Sequence, residues 1–488
     1  MTLKQDPAAA DQSAATTEAQ DDHALHRGLG VWSIVAMVAA GAAPLAVVSL
    51  TVPIVITLGG SITAPLIFVA AGLILLLFSV GFVTMSKHVR NAGAFYSYIQ
   101  AGLGRVPGLG SATLALVSYY LLQVGLYAYV GLSFSSMLDS FFGLSTPWWL
   151  WTAVAWIIVS WLGYRDIVLS AHVLVVALAA ETAAVLILDL AIFFQGGADG
   201  FPAAALNPAG AFEGTPSIGL LFALFSFIGF EATAVFRNEA RDPDRTIPRA
   251  TYITVILVAG LYALSAFAVV MGAGANDALA IATENPEGMT PDLFISYTGK
   301  VVHDLAQIFL VTSTFACVLT FHNVLTRYQF TLGTMQVLPR KLGVVNPKFR
   351  APSFSSIVVT VIGGLSIVVV LLTGLDPVTQ IYTWFSGAAI IGLLALMTLT
   401  SVAVIVYFRR KGGESAMKTL VIPALAALCI GGVIAVALMN IGLVIPDPIA
   451  TWILLPSLVV AFVVGCFMAQ RMKQRNPEAY AKLHDEEM

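Results

Sequence analysis

Apolar residues run along the chain in about a dozen long stretches separated by short polar joints. A hydrocarbon core about 30 Å thick requires about 20 apolar residues per helix, so stretches of this length predict membrane-spanning helices. The fold class predicted is therefore an all-α integral membrane protein with 12 transmembrane helices. The predicted spans lie near residues 31–57, 63–85, 107–138, 147–163, 167–195, 216–236, 250–272, 303–335, 354–374, 378–408, 419–442 and 449–470.

Positive charge lies at alternate joints between these spans. Of the 24 Lys and Arg residues, all except Lys300 fall on one side of the membrane in the twelve-span pattern. The joint 237–249 carries four arginines, whereas the joint 274–302 carries one lysine and several carboxylates. Because Lys and Arg in short loops remain in the cytoplasm, the pattern predicts a multi-pass protein of the cell (inner or plasma) membrane with both termini cytoplasmic.

Composition and charge exclude several other classes of protein. Hydrophobic residues make up 58% of the 488 and charged residues 10%, whereas a soluble domain carries about 25% charged residues. A net charge of −3 offers no basic face for nucleic acid. The three cysteines have no metal-site spacing, and no metal or cofactor is expected. Residues 1–27 are polar and without periodicity and predict a disordered cytoplasmic tail, and 471–488 predict a second cytoplasmic tail.

Two spans are interrupted in the same way. The first contains Gly41-Ala42-Ala43-Pro44, and the sixth contains Ile228-Gly229-Phe230-Glu231. Proline lacks an amide hydrogen and suits the first residue of a new helix. The interruptions stand at the start of successive five-helix blocks, as expected for inverted repeats with discontinuous helices. The alternative is two ordinary kinks, because Gly and Pro are frequent in transmembrane helices.

Three segments carry a resemblance to a known family. They are 225–231 followed by 238–243 and 247–250, the segment 91–104 after the second span, and the end of the eighth span from Arg327 to Arg340. Over about residues 28–470 the chain resembles the amino acid–polyamine–organocation (APC) permeases. The resemblance implies a transporter rather than an enzyme. It also implies a LeuT-like 5+5 inverted repeat at 28–408 with discontinuous helices 1 and 6, and two additional helices at 409–470.

The interrupted helices predict a site made largely of backbone. Orphan amides at the start of a half-helix suit a carboxylate, and orphan carbonyls at the end of one suit an ammonium group. The family usually has a Gly-Ser/Thr-Gly-like sequence at the first break, whereas here the hydroxyl is missing. Phe230 is expected to cover the ligand by resemblance; a lipid-facing or core-facing aromatic is the alternative. The predicted substrate-binding residues are Ala40, Gly41, Ala42, Ala43, Gln123, Phe225, Ile228, Gly229 and Phe230.

Two intramembrane carboxyls are predicted to couple transport to protons. Glu181 lies halfway along the fifth span, eleven residues after Ser170-Ala171 begins. In related permeases the matching place holds a lysine that stands in for a sodium ion. A buried carboxyl there could bind and release a proton, or it could serve as a neutral hydrogen-bond strut. Glu231 could pair with an ammonium group, report protonation, or satisfy the unwound backbone. Asp189 is expected nearer the outer surface, in contact with water.

The function predicted is secondary active transport of amino acids, proton-coupled uptake by alternating access. No His-Glu-x-x-His, Walker or Gly-x-Ser-x-Gly motif suggests an enzyme. Within transport, the alternatives are a carrier for polyamines or other organic amines, and an amino acid/amine exchanger. A membrane receptor is disfavoured because tails of about 27 and 18 residues are too short for an output domain. The expected partners are a small molecule, protons and the lipid bilayer, with no nucleic acid, and the chain as a monomer or homodimer.

Overall fold

The computed structural model describes residues 30–89, 94–165, 171–231, 233, 240–349, 351–477 and 480. Several sequence predictions lie outside these residues. They concern the tail 1–27, most of the tail 471–488, Ser170, the motif residues 91–93, and Arg237, Asn238 and Glu239.

The described residues fold as helices, with one isolated antiparallel bridge between Asn346 and Ala351. In chain order the helices are α1 Val31–Gly41, α2 Pro44–Ala46, α3 Val52–Gly59, α4 Ala64–His88, α5 Ala94–Leu103, α6 Arg105–Phe142, α7 Trp148–Tyr164, α8 Ala171–Gln195, α9 Pro216–Phe225, α10 Pro243–Ala273, α11 Ala278–Glu284, α12 Pro286–Thr334, α13 Ser353–Thr373, α14 Thr383–Lys411, α15 Ile422–Met439, α16 Ile441–Val444 and α17 Pro448–Arg475. Wider π-helical turns at Val47–Thr51, Pro377–Tyr382 and Met417–Val421 join α2 to α3 and precede α14 and α15.

Ten helical segments within the described ranges are long and apolar enough to cross a membrane. The predicted spans near 147–163 and 216–236 correspond instead to the shorter apolar helices α7 and α9. The prediction of a multi-pass helical membrane protein is therefore confirmed. The count of twelve and the 5+5 repeat remain predictions.

Two joints contain helices that the sequence did not predict. Residues 94–103, which lie between the second and third predicted spans, form α5. The outer joint 274–302 contains α11 and the first turns of α12. Gly299, with φ 78°, kinks α12 between this outer part and the long apolar part. Both joints are short amphipathic or polar sequences, which hydropathy alone does not separate from loops.

The long helix α6 is central to the bundle. It packs against α5, α7, α12, α14 and α17, and most of the residues in its apolar window are buried. Only a minority of the apolar residues of α13, α15 and α17 are buried. Large side chains such as Leu372 and Met439 are exposed on the outside of the bundle. In water such surfaces would associate, whereas in a bilayer they contact lipid.

Candidate functional site

The first span is interrupted in the middle of the bundle. Helix α1 ends at Gly41, and α2 begins at Pro44. Between them Ala43 has a left-handed backbone, with φ 45° and ψ 68°, which costs an L-residue about 1–2 kcal/mol. The amide of Ala42 still belongs to the first half, since it donates to the carbonyl of Val38 at 3.2 Å. The break therefore falls between Ala42 and Pro44.

This break leaves backbone groups for other partners. At the start of the second half, the amides of Leu45 and Ala46 have no acceptor within their own helix. At the end of the first half, the carbonyl of Ala42 accepts a hydrogen bond from the hydroxyl of Tyr262 at 2.8 Å. Tyr262 lies on α10, so this helix is bonded directly to the break.

The sixth span is interrupted by irregular backbone. Helix α9 ends at Phe225, and turns follow as far as Glu231. Gly229 has φ 107°, a conformation that residues with a Cβ rarely adopt. The amide of Ile228 donates to the carbonyl of Phe225 at 3.0 Å, whereas the carbonyl of Ser226 accepts no backbone hydrogen bond from the described residues. The carbonyl of Ser226 therefore remains available to another donor.

A cavity lies where the two interrupted spans meet. The empty space between its walls is about 490 Å³, a volume that includes space open to solvent. No charged side chain is in its lining, and the polar side chains there are hydroxyls and one thiol. The lining residues come from both interrupted spans, α6, α12 and the start of the tenth span: Ala42, Ala43, Ala46, Val47, Thr51, Leu122, Leu126, Tyr129, Phe225, Ser226, Ile228, Thr314, Cys317, Phe321 and Tyr382.

Aromatic rings cover one end of this cavity. The ring of Tyr382 lies 5.4 Å from that of Tyr129 and 6.0 Å from that of Phe225, the latter in an edge-to-face arrangement. The hydroxyl of Tyr382 is 3.4 Å from that of Thr51. Thr51 comes after the other cavity residues of the first span, and Tyr129 comes after Leu122 and Leu126 on α6. In the predicted orientation they therefore lie on the outer side of the breaks.

Glu181 lies behind the first break rather than in the cavity lining. Its side chain, 5% exposed, accepts a hydrogen bond from the hydroxyl of Ser313 at 2.8 Å. It also accepts one from the backbone amide of Leu45. The carboxyl group therefore joins α8, α12 and the start of α2. Each of these two partners is followed in the chain by a residue that lines the cavity, Ala46 after Leu45 and Thr314 after Ser313. Glu181 therefore lies close to the cavity without lining it.

Glu231 satisfies the backbone of the second break. One carboxylate oxygen accepts from the hydroxyl of Tyr119 at 2.8 Å, and the other accepts from the amide of Gly229 at 2.9 Å. The ring of Phe230 packs edge-to-face on Phe78 at 5.8 Å. Neither Glu231 nor Phe230 is part of the cavity lining. These contacts match the backbone role considered for Glu231 and do not bring Phe230 over the cavity.

The structure brings together four of the predicted substrate-binding residues. Ala42, Ala43, Phe225 and Ile228 line the cavity. Ala40 and Gly41 are the last residues of α1.

Gln123 is buried but lies outside the cavity lining. Its neighbours Leu122 and Leu126 line the cavity, and one residue along a helix turns the side chain by about 100°. The oxygen of Gln123 has no hydrogen-bond partner among the described residues. The face of α6 that meets the cavity therefore continues from Leu126 to Tyr129 instead.

Sequence reasoning missed the contribution of α12. Thr314, Cys317 and Phe321 line the cavity, and their spacing of three and four residues places them on one face of the helix. Tyr382, at the start of the tenth span, is also buried against the cavity. The spacing was readable in the sequence, but nothing in a uniformly apolar helix distinguishes the face toward a cavity from the face toward a neighbour.

The helices define a multi-pass helical membrane protein, and a cavity lies between its two interrupted spans. Residues 29–464 match the family described as "Amino acid permease". The chain therefore belongs to the amino acid permease family, as the sequence resemblance predicted.

Individual relatives are more distant and cover parts of the chain. The low-affinity putrescine importer of Escherichia coli K12 is 23% identical over 61% of this chain and 66% of its own length. Cationic amino acid transporter 7 of Arabidopsis thaliana is 25% identical over 70% of this chain and 59% of its own. The serine/threonine exchanger of Bacillus subtilis is 24% identical over 44% of this chain and 46% of its own. The match thus spans about two thirds or less of the length of these curated relatives, all of which are transporters.

Proposed function

We propose that this protein is a proton-coupled transporter that takes up neutral amino acids by alternating access. It acts in the cell membrane with both termini cytoplasmic, through twelve spans arranged as a 5+5 core at 28–408 with two further helices. The supporting context is the family, whose members among the matched relatives carry amino acids or a diamine.

The observation that carries the proposal is an uncharged cavity between two helix interruptions. A zwitterion needs a donor set for its carboxylate and an acceptor set for its ammonium group. The start of α2 offers the amides of Leu45 and Ala46, and the second break offers the carbonyl of Ser226, which accepts no backbone hydrogen bond from the described residues. A further charge on the substrate's side chain would meet no counter-charge in the lining, and an unpaired charge is costly in such a setting. This favours amino acids with neutral side chains.

Coupling to protons is assigned to Glu181. Glu181 accepts a hydrogen bond from the amide of Leu45 at the start of α2. The carboxylate of Glu181 and the carboxylate of the substrate therefore compete for the same amide. A proton on Glu181 removes its negative charge and weakens that hydrogen bond, since bonds to ionised acceptors are about twice as strong as neutral ones. The freed amide then becomes available to the substrate. Protonation and substrate binding therefore favour each other.

A carrier of polyamines or other organic amines is the second candidate. The relationship to a putrescine importer favours it. An amine carrier would use the carbonyls near Ser226 but would have no need of the amides at α2. The two intramembrane glutamates, which could attract an amine, are bonded to Ser313 and Leu45 and to Tyr119 and Gly229, outside the cavity lining.

The test compares an amino acid with the amine that remains after its carboxylate is removed. Leucine and 3-methylbutylamine have the same side chain, so their competition for uptake isolates the carboxylate. We expect the amine to bind at least about fivefold more weakly, a loss of about 1 kcal/mol. Lysine and putrescine, tested beside them, probe the uncharged lining and should compete weakly. An amine that competes as well as its amino acid would contradict the proposal and favour the second candidate.

A further inference from the structure

Asp189 is a second buried carboxyl on the same helix as Glu181. It was expected to meet water, but its side chain is 1% exposed. One oxygen accepts a hydrogen bond from the hydroxyl of Ser265 on α10 at 2.7 Å. The other oxygen has no hydrogen-bond partner among the described residues. A permanently ionised carboxylate buried in a membrane needs more donors than one hydroxyl, so this arrangement suits a group that accepts a proton.

The position of Asp189 relates it to Glu181. The two residues are eight apart on α8, or about 12 Å along the axis. In the predicted orientation Asp189 is nearer the outer surface, because α8 ends at Gln195 on that side. Ser265 and Tyr262 are three apart on α10 and share one face. Ser265 donates to Asp189, and Tyr262 donates to the carbonyl of Ala42 at the first break, so this face of α10 extends from Asp189 to the break behind which Glu181 lies.

Some titratable groups on α12, which packs against α8, have partners of their own or lie close to Glu181. On α12, the hydroxyl of Tyr297 donates to the carbonyl of Gly272 at 3.0 Å, and His303 pairs with Asp304 at 3.1 Å. Cys317 of α12 interacts with Glu181. The helices α1 and α2 contain no titratable side chain. The carboxyls of Glu287 and Asp292 on α12 are exposed, whereas Asp189 is buried and has one oxygen without a hydrogen-bond partner among the described residues.

We propose that Asp189 is a proton-binding site between the outer surface and Glu181. This inference rests on the proton coupling of the proposed function. In the transfer, the proton leaves the carboxyl oxygen of Asp189 and an equivalent proton arrives at the carboxylate of Glu181. A direct hop over about 12 Å is too long for one hydrogen bond of about 2.8 Å. The hydroxyls of Ser265 and Tyr262 and intervening water each accept one proton and release another, so charge and atoms balance.

The experiment measures leucine uptake against external pH in proteoliposomes, together with leucine exchange at equal pH. Asp189→Asn keeps the shape and can still accept from Ser265, but it cannot ionise. We expect exchange to continue at the wild-type rate while the external pH that gives half-maximal uptake shifts by about one unit, a tenfold change in proton affinity. Substrate binding to the variant, measured by thermal shift, should match that of the wild type.

Ser265→Ala is the second variant, and it retains the carboxyl while removing its hydrogen-bond donor. It should also move the pH profile, and Asp189→Asn combined with it should add nothing. Ser366→Ala is the matched control, because the hydroxyl of Ser366 bonds only within its own helix. An unchanged pH profile in both Asp189→Asn and Ser265→Ala would overturn the inference. If the wild type shows exchange but no proton-driven accumulation, the proposed coupling fails as well.

Discussion

At the scale of single residues, the contacts of Glu181 set it apart from an ordinary buried polar group. A carboxyl in a membrane costs several kcal/mol unless it is bonded or neutral. Two donors reach it, and one of them is a backbone amide at the start of α2 rather than another side chain. Such an amide carries the partial positive charge of a helix N-terminus. The residue is therefore held by the part of the backbone that a substrate carboxylate would also use.

Glu181→Gln tests this residue as the proton carrier. Glutamine keeps the length and an oxygen that can accept from Ser313, but it cannot bind a proton. We expect exchange of substrate to persist while accumulation driven by a pH gradient is lost. Uptake measured with a pH gradient reports accumulation, and uptake measured without one reports exchange. Glu213→Gln, at an exposed position on the predicted outer side, is the control and should accumulate substrate normally. Accumulation by Glu181→Gln at the wild-type level would exclude this role.

The sequence predicted the residues of the breaks better than their orientation. Pro44 and Gly229 marked the interruptions because their backbone requirements are local and belong to the residue type. The side chains of Gln123 and Phe230 were expected at the ligand, but both lie outside the cavity lining. The direction of Phe230 depends on its packing against Phe78 of α4. The direction of Gln123 depends on the rotation of α6 in the bundle, which turns Leu122 toward the cavity instead. No local rule supplies that information.

At the scale of helices, close backbone contact holds α5 against α14. A Cβ placed on Gly102 would lie 2.7 Å from the carbonyl carbon of Ala403, closer than real Cβ atoms come. The obstacle is backbone, which cannot rotate away as a side chain would. In membranes, small residues commonly permit such close helix contacts. The segment containing Gly102 was one of those that carried the family resemblance, and this contact gives one physical reason for a glycine there.

Gly102→Ala should therefore destabilise the fold. Forcing one extra carbon into a packed contact costs about 1–3 kcal/mol. We expect a lower melting temperature of the purified protein in detergent. Gly432→Ala on α15 is the control, since a Cβ there meets nothing within 4 Å, and it should melt at or slightly above the wild-type temperature. Equal melting of Gly102→Ala and the wild type would show that α5 and α14 can move apart freely.

At the scale of the whole molecule, the distribution of arginines and lysines fixes the proposed orientation. Asp244 and Glu284 are both exposed and lie at joints on opposite sides in the predicted topology. A reagent that cannot cross the membrane should label Glu284→Cys in intact cells and leave Asp244→Cys unlabelled until the cells are opened. The parent chain, with its three cysteines, sets the background. Labelling of Asp244→Cys from outside would reverse the orientation and the assignment of Asp189 to the outer half.

The general architecture was accessible from sequence because a bilayer constrains helices strongly. Hydropathy located the helical segments within a few residues, as at α6 and α17. It did not separate the joint helices α5 and α11 from loops, because short helices depend on what they pack against. Hydropathy also did not predict that α12 forms one wall of the cavity. The site was predicted as two breaks in backbone, and the surrounding wall came from tertiary packing.

The hydrogen bond from Leu45 to Glu181 has a thermodynamic consequence for the proposed cycle. If protonation of Glu181 raises the affinity for substrate by some factor, bound substrate must raise the affinity of the protein for protons by the same factor. A titration of substrate affinity against pH and a titration of proton affinity against substrate concentration must then give the same factor. A factor of ten corresponds to about 1.4 kcal/mol, which is within what one charge-assisted hydrogen bond contributes. One backbone amide with two rival acceptors is thus sufficient to make the movement of one solute depend on the movement of the other.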